Sequence, residues 1–320
     1  MFKTYTIPIS QKKSSNLYDL WIKNGFENEK NIDINKSLLS GSEVQSNLIK
    51  LYLYENKDHI LSSAVIVMNI QNPSIAAIGE VCTSLNSRGK GLANSLCEKI
   101  IEDYFSNDQN NAIFLGTVNP IAEKIYKSLG WKNIDNSLVM FNSKNQDDFE
   151  SFLNKYNKNE LRKNISEGNS NFRLSIIPFV LSIRSNNQID LNSKINLINK
   201  TSSCLGLFNK YESLQFRQGK WFSLSDDENR IFSIVSYLEE NNKSFRIDGL
   251  FNKFYYDDSK KLIKFLVNKL VNQKANKIYA EIYKKDELKL QLFHELGFTE
   301  ENNIKKKIDE ENLDFKKFLL

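Results

Sequence analysis

Arg88-Gly89-Lys90-Gly91-Leu92-Ala93 sets two glycines, a guanidinium and an ammonium directly ahead of an amphipathic run. Glycines let successive backbone amides turn toward one point, and a helix that starts there adds partial positive charge. A pyrophosphate is the natural guest of such a loop. Two other phosphate loops do not fit. A P-loop needs four residues between its glycines and a following Lys-Ser/Thr. A dinucleotide fingerprint needs a third glycine where Asn94 stands. By the loop alone, a plain glycine turn is an equal reading.

Other residue types that could do chemistry are sparse. Cys82, Cys97 and Cys204 are odd in number and far apart, with no CxxC pair, so they form neither a disulfide framework nor a metal site. Cys82 and Cys97 have no nearby histidine and read as small core residues rather than nucleophiles. The two histidines, His59 and His294, are too few for a multi-histidine metal centre. No metal is expected.

The elements around the loop follow from hydrophobic period and punctuation. Ser62–Ile70 and Ile75–Ser84 read as strands on either side of a Gln71-Asn72-Pro73 turn. Leu92–Phe105 reads as a helix with Leu92, Leu96, Ile100 and Ile101 on one face. Ala112–Val118 is another strand. Asn119 as N-cap and Pro120 at the first helical position open a helix that runs to Leu129 and stops at Gly130. Trp131–Phe141 supplies one or two strands more. Residues 142–171 turn polar and contain a plausible helix, Asp147–Arg162, read as a linker or as a surface helix of the first half.

The second half repeats the organisation. Arg230–Leu238 and Phe245–Phe251 are antiparallel strands, Ser259–Gln273 a helix, Lys277–Tyr283 a strand, and Asp286–Leu296 a helix ending at Gly297-Phe298. LGTVNPIAEKIYKSLGW and AEIYKKDELKLQLFHELGF share the order strand, polar junction, helix, Leu-Gly-aromatic. A repeat of about 167 residues means two copies of one domain rather than a solenoid. The expected fold is therefore α/β (α+β): two tandem domains, each a mixed, mostly antiparallel sheet flanked by helices. Residues 1–145 form the first, 146–170 the linker, and 171–320 the second. Ser213–Trp221, ahead of the second half's strands, reads as amphipathic surface.

The spacing Arg88-x-x-Gly91-x-Ala93, followed by Asn119, Ala122, Tyr126 and Leu129-Gly130-Trp131, resembles the GNAT (GCN5-related N-acetyltransferase) superfamily. The two ordered motifs span residues 75–134. Many members carry proline where Leu85 stands, so the loop's entry is less rigid here. The resemblance implies acetyl-coenzyme A or another acyl-coenzyme A as co-substrate, lying between two splayed strands. Backbone groups of Val81, Cys82 and Thr83 would pair with pantetheine, and Arg88, Gly89, Lys90, Gly91, Leu92 and Ala93 would hold the pyrophosphate. Asn119 would orient pantetheine, and Tyr126 would protonate the departing sulfur. Glu80, on the strand beside the reaction centre, is the candidate base, directly or through water. At the position of the glycine loop the second half has Phe251–Ser259, FNKFYYDDS, without glycine and with Asp257 and Asp258 at a helix start. That copy is expected to lack standard coenzyme-A binding.

Composition bounds the rest. The chain has 320 residues, 40% hydrophobic and 12% aromatic, enough for packed cores. No apolar run reaches transmembrane length and no secretory signal is evident, so a cytoplasmic protein without a membrane partner is expected. The net charge is +5, yet only 7 of the 44 basic residues are arginine. Residues 1–150 carry 15 basic and 17 acidic residues, and residues 151–320 carry 29 and 22. Charge without a readable motif argues against nucleic acid. The leading reading is an N-acyltransferase that moves acetyl to a primary amine of a small molecule or peptide. A longer acyl chain, or an acidic carrier protein docked on the basic second half, is the alternative. A second alternative is an inert coenzyme-A-binding or interaction module.

Overall fold

A computed structural model describes residues 1–25, 38–57, 59–158, 162–201 and 204–320. The chain divides into two units, Met1–Tyr156 with Ser202–Leu205, and Asn157–Thr201 with Gly206–Leu320. Among the described residues no helix is long and apolar enough to cross a membrane.

Unit 1 is built on a seven-stranded sheet of β1 (Phe2–Thr6), β2 (Asn47–Asn56), β3 (His59–Asn69), β4 (Ile75–Thr83), β5 (Ala112–Gly116), β6 (Lys132–Asn133) and β7 (Val139–Ser143). The order is β1-β2-β3-β4-β5-β7-β6. Among the described residues of unit 1 only β4 and β5 pair in parallel, and the helix over Leu92–Phe105 supplies the crossover such a pair needs. The helices are α1 (Gln11–Lys23), α2 (Leu92–Phe105), α3 (Pro120–Ser128) and α4 (Phe149–Tyr156). Strand side chains alternate between faces. Ile113 and Leu115 point to the face where α2 and α3 bring Leu96, Cys97, Ile100 and Tyr126. Phe114, between them, points the other way, its ring centroid 5.4 Å from that of Phe141 and 6.0 Å from that of Phe152 in α4. On α1, Trp21 is buried and donates from Nε1 to Ser63 Oγ at 3.0 Å.

Residues 146–170, read from the sequence as a linker, are shared between the units. The expected helix over Asp147–Arg162 is the shorter α4, and Phe149, Phe152 and Leu153 bury one face of it in unit 1. Residues 159–161 lie outside the described residues. Beyond them β8 (Lys163–Glu167) joins the sheet of unit 2.

Unit 2 carries a short pair, β9 (Ile189–Asp190) with β10 (Ile195–Asn196), and a second seven-stranded sheet. To β8 the sheet adds β11 (Gly219–Asp226), β12 (Ile231–Glu239), β13 (Ser244–Phe251), β14 (Lys277–Tyr283), β15 (Thr299–Ile308) and β16 (Glu311–Leu319). The order β15-β16-β14-β13-β12-β11-β8 is that of unit 1 read from the other edge. Its one parallel pair, β13 with β14, matches β4 with β5. The helices are α5 (Ile176–Ser182), α6 (Leu205–Glu212), α7 (Tyr256–Asn272) and α8 (Glu287–Glu295). α7 buries Leu262, Ile263, Leu266 and Leu270 at helical spacing. The surface reading of Ser213–Trp221 is corrected. Phe216 is 81% exposed, but Trp221 is buried in β11, 5.8 Å from the Phe172 ring and 5.1 Å from the Tyr211 ring. The segment is a turn running into a buried strand, and Gly219 marks the change.

Candidate functional site

The parallel pairing of β4 with β5 is short. It runs from Ile75↔Ala112 to Ala77↔Phe114 and then stops, although β4 continues to Thr83. The cause is local. The β3–β4 register slips between Ser63 and Val65, and Glu80 takes a left-handed φ of 54°. Such a bulge bends a strand and increases its twist. Ser63 Oγ donates to the Glu80 carbonyl at 2.9 Å and Ser62 Oγ to the Cys82 carbonyl at 3.1 Å, which pins the bent end to β3. Ser63 is in turn held by Trp21. A gap therefore opens between β4 and β5 along Val81, Cys82 and Thr83.

The glycine loop lies at the end of that gap. A single 3-10 turn, Leu85–Ser87, follows β4, and Gly91 is the N-cap of α2 without a side-chain cap bond. Gly89 and Gly91 have φ of 75° and 72°, values that glycine adopts at no steric cost, and a Cβ on either would meet nothing within 4 Å. No side chain caps the first turn of α2, and the Cβ side of both glycines is clear. Arg88 Nε donates to the Thr83 carbonyl at 3.2 Å and Lys90 Nζ to the Asn86 carbonyl at 3.2 Å. The missing proline has a substitute: the Leu85 amide donates to Asn24 Oδ1 at 2.7 Å, tying the loop entry to the end of α1.

Asn119 caps α3, accepting from the Ile121 amide at 2.9 Å. Val118 and Ile121 beside it are exposed apolar side chains. Tyr126 is buried in the core cluster with Cys97 and packs edge-on against Trp131 at 5.7 Å. Burial pushes its phenol well above the ordinary range, and the neighbouring Cys97 and Cys204 push it further. Burial also raises Cys82 to about 11 and Cys97 to about 12. Both are free and buried, as expected of small core residues. The sequence-read residues thus fall into two groups, Glu80–Ala93 on β4 and the loop that follows it, and Asn119 and Tyr126 at the cap and on the body of α3.

Sequence reasoning missed Cys204 and Leu205, which unit 1 includes. Cys204 Sγ donates to the Ile78 carbonyl at 4.0 Å, across 126 residues of sequence. Burial pushes the thiol up to about 12, and nearby backbone amides work against that rise. Leu205 packs on Gly79. No local signal could have found a contact of that separation.

Unit 2 opens a similar gap and fills it. β13 and β14 pair only over Ser244–Arg246 and Lys277–Tyr279. Beyond, Gln188 serves the Phe251 backbone in both directions, Nε2 to the carbonyl at 2.6 Å and Oε1 from the amide at 2.8 Å. The Leu191 amide donates to Asp248 Oδ2 at 2.7 Å. Lys289, buried, donates to Asp248 Oδ1 at 2.6 Å and to the Ile189 carbonyl. The segment Gln188–Leu191 takes the place of a paired strand beside β13. The acids of the FNKFYYDDS stretch are themselves paired, Asp257 with Lys260, and Asp258 with Lys163 and Lys261.

Residues 60–140 match the FR47-like protein family, which is related to the GNAT superfamily. That segment contains the bulge, the glycine loop and the whole of Asn119–Trp131. The matched segment lies within unit 1, whose fold is GNAT-like. The shared strand order makes the chain two GNAT-like α/β units in tandem. Solved structures similar to the chain include a ribosomal-protein-S5-alanine acetyltransferase from Vibrio fischeri, at 14% identity and TM-score 0.40, covering 51% of this chain and 94% of that one. An N-acetyltransferase from Staphylococcus aureus is 10% identical at TM-score 0.40, covering 50% and 98%. Mutant forms of the spermidine/spermine N-acetyltransferase from Vibrio cholerae are 16% identical at TM-score 0.37, covering 49% and 92%. No curated protein sequence matches the chain.

Proposed function

We propose that unit 1 is an N-acyltransferase that moves an acyl group, most simply acetyl, from acyl-coenzyme A to a primary amine. One observation carries the reading: β4 parts from β5 immediately before a glycine loop whose amides open, uncapped by any side chain, at the start of α2. That is a slot for an extended chain ending in a cradle for an anion. The backbone of Val81, Cys82 and Thr83 would pair with pantetheine, and Asn119 would orient it from the far side. Arg88 to Ala93 would hold the pyrophosphate, with the Arg88 guanidinium adding directional bonds.

The reaction forms a C–N bond and breaks a C–S bond. The neutral amine attacks the thioester carbonyl, its proton leaves to Glu80 directly or through water, and the departing sulfur takes a proton from Tyr126. A phenol held above its ordinary range stays protonated at neutral pH, the state a general acid needs. Unit 2, whose gap is filled by its own chain, is assigned no donor. The basic residues of the second half leave docking of an acidic carrier as the weaker reading, with no observed contact in its favour.

The test is a calorimetric titration with coenzyme A of the full chain and of the double variant Arg88→Ala/Gly91→Glu. A glutamate at φ of 72° brings both backbone strain and negative charge to the cradle. Binding by the natural chain and none by a folded double variant is expected. Equal affinity in both would remove the loop from the donor site.

A further inference from the structure

We propose that Cys204 and Leu205 form the inner wall of the donor gap in unit 1 and restrict the transferred group to a short, apolar acyl chain. This rests on the acyl-donor reading above and adds a specificity wall to it.

The wedge lies where the strands begin to part. The last β4–β5 partners are Ala77 and Phe114. Cys204 Sγ reaches the carbonyl of Ile78, the next residue of β4. The thiol thus sits on the β4 edge at the point where its pairing with β5 ends. Leu205 closes the β4 side. A Cβ on Gly79 would stand 2.6 Å from Leu205 Cδ1, so a side chain there would push the end of Leu205 aside. Gly79 has no left-handed φ, and the packing of Leu205 on its bare backbone is what a side chain would disturb. Cys204 and Leu205 are only 3% and 8% exposed.

The wall adjoins the proposed base: Ile78 and Gly79, which Cys204 and Leu205 touch, lead directly into Glu80 on β4. An acetyl methyl ends at that wall. A longer chain would have to displace Leu205 from Gly79 and break the contact of the thiol with the Ile78 carbonyl. The lining of Ile78, Cys204 and Leu205 is apolar and Glu80 follows on β4, so a dicarboxylic acyl group would meet like charge there.

The experiment is a calorimetric titration of the full chain, and of Leu205→Ala and the milder Leu205→Val, with coenzyme A, acetyl-coenzyme A and octanoyl-coenzyme A. The natural chain is expected to bind octanoyl-coenzyme A at least tenfold more weakly than acetyl-coenzyme A. Leu205→Ala should narrow that ratio to within about threefold and Leu205→Val should fall between. Free coenzyme A, which does not reach the wall, should bind all three proteins alike and so reports that each variant is folded. Three equal affinities for coenzyme A with an unchanged acetyl-to-octanoyl ratio would overturn the wall and leave the donor site standing. Octanoyl-coenzyme A binding the natural chain as tightly as acetyl-coenzyme A would do the same. No binding of coenzyme A by the natural chain would overturn both.

Discussion

Replacing Lys289 with methionine should destabilise unit 2 by an amount that depends steeply on pH. Lys289 is 1% exposed, and its ammonium donates to Asp248 Oδ1 at 2.6 Å and lies 3.8 Å from Asp286 Oδ2. Asp248 meanwhile accepts from the Leu191 and Gly249 amides, so the cluster holds the gap-filling segment to β13. Burial raises both carboxyls, Asp286 to about 7, and Lys289 is what opposes that rise. Removing one partner of a buried pair typically costs about 3–5 kcal/mol. For a unit of this size that is a fall in Tm of about 6–20 °C. The sign with pH follows from linkage. A carboxyl raised in the folded state binds its proton there before the unfolded chain does, so stability falls as pH rises from about 4 through the folded value. Without Lys289 both carboxyls rise further and the fall steepens. Differential scanning calorimetry should therefore show a small deficit near pH 4.5 and the full deficit near pH 8. Lys289→Met combined with Asp248→Asn should recover part of the loss, because one of the two carboxylates that Lys289 compensates is gone while Asp286 remains. A deficit of under 2 °C at pH 8, or one equal at both pH values, would refute the electrostatic reasoning.

Tyr126→Phe should keep the ring packing on Trp131 and the donor affinity, while the acyl-transfer rate constant falls about 10²- to 10⁴-fold, read under saturating substrates. An unchanged rate would reduce Tyr126 to packing. Cys82, Cys97 and Cys204, buried with thiols raised to about 11, 12 and 12, should resist iodoacetamide at pH 8 in the folded chain and react fully in denaturant. Mass spectrometry that finds one modified within minutes in the native chain would show an opening of its core. Gly79→Ala should lower the Tm of unit 1 and cost more than Gly79→Ala combined with Leu205→Ala, because the steric conflict is between those two positions. Additive losses would mean that the pair does not clash.

Elements whose signals are local were legible. α2 and α3 announce themselves by a glycine or Asn-Pro start and an apolar face, and Leu92–Phe105 lies where the period places it. The equivalence of the two halves was legible too, because Leu-Gly-aromatic follows a helix in both. Strands β1 and β2 and helix α1 were not read, since β1 finds its partner in β2 far along the chain, from Phe2↔Tyr54 to Thr6↔Lys50. Trp221 was misjudged because it follows the exposed Phe216 within one mixed stretch. At the site, the loop residues stood out by type, while the gap they serve depends on a bulge at Glu80, a non-glycine residue that gives no sequence warning. The filling of unit 2's gap was wholly hidden. Gln188 meets Phe251 across 63 residues, and the acids at Asp257 and Asp258, which looked like the obstacle to a phosphate, are neutralised by lysines.

The central claim is that this tandem carries one donor site, in unit 1. Native mass spectrometry of the full chain across a coenzyme-A titration measures it directly. One coenzyme A per chain, lost in Arg88→Ala/Gly91→Glu and retained in Lys289→Met, is the predicted result. Two per chain, or one that survives the loop variant, would contradict the account.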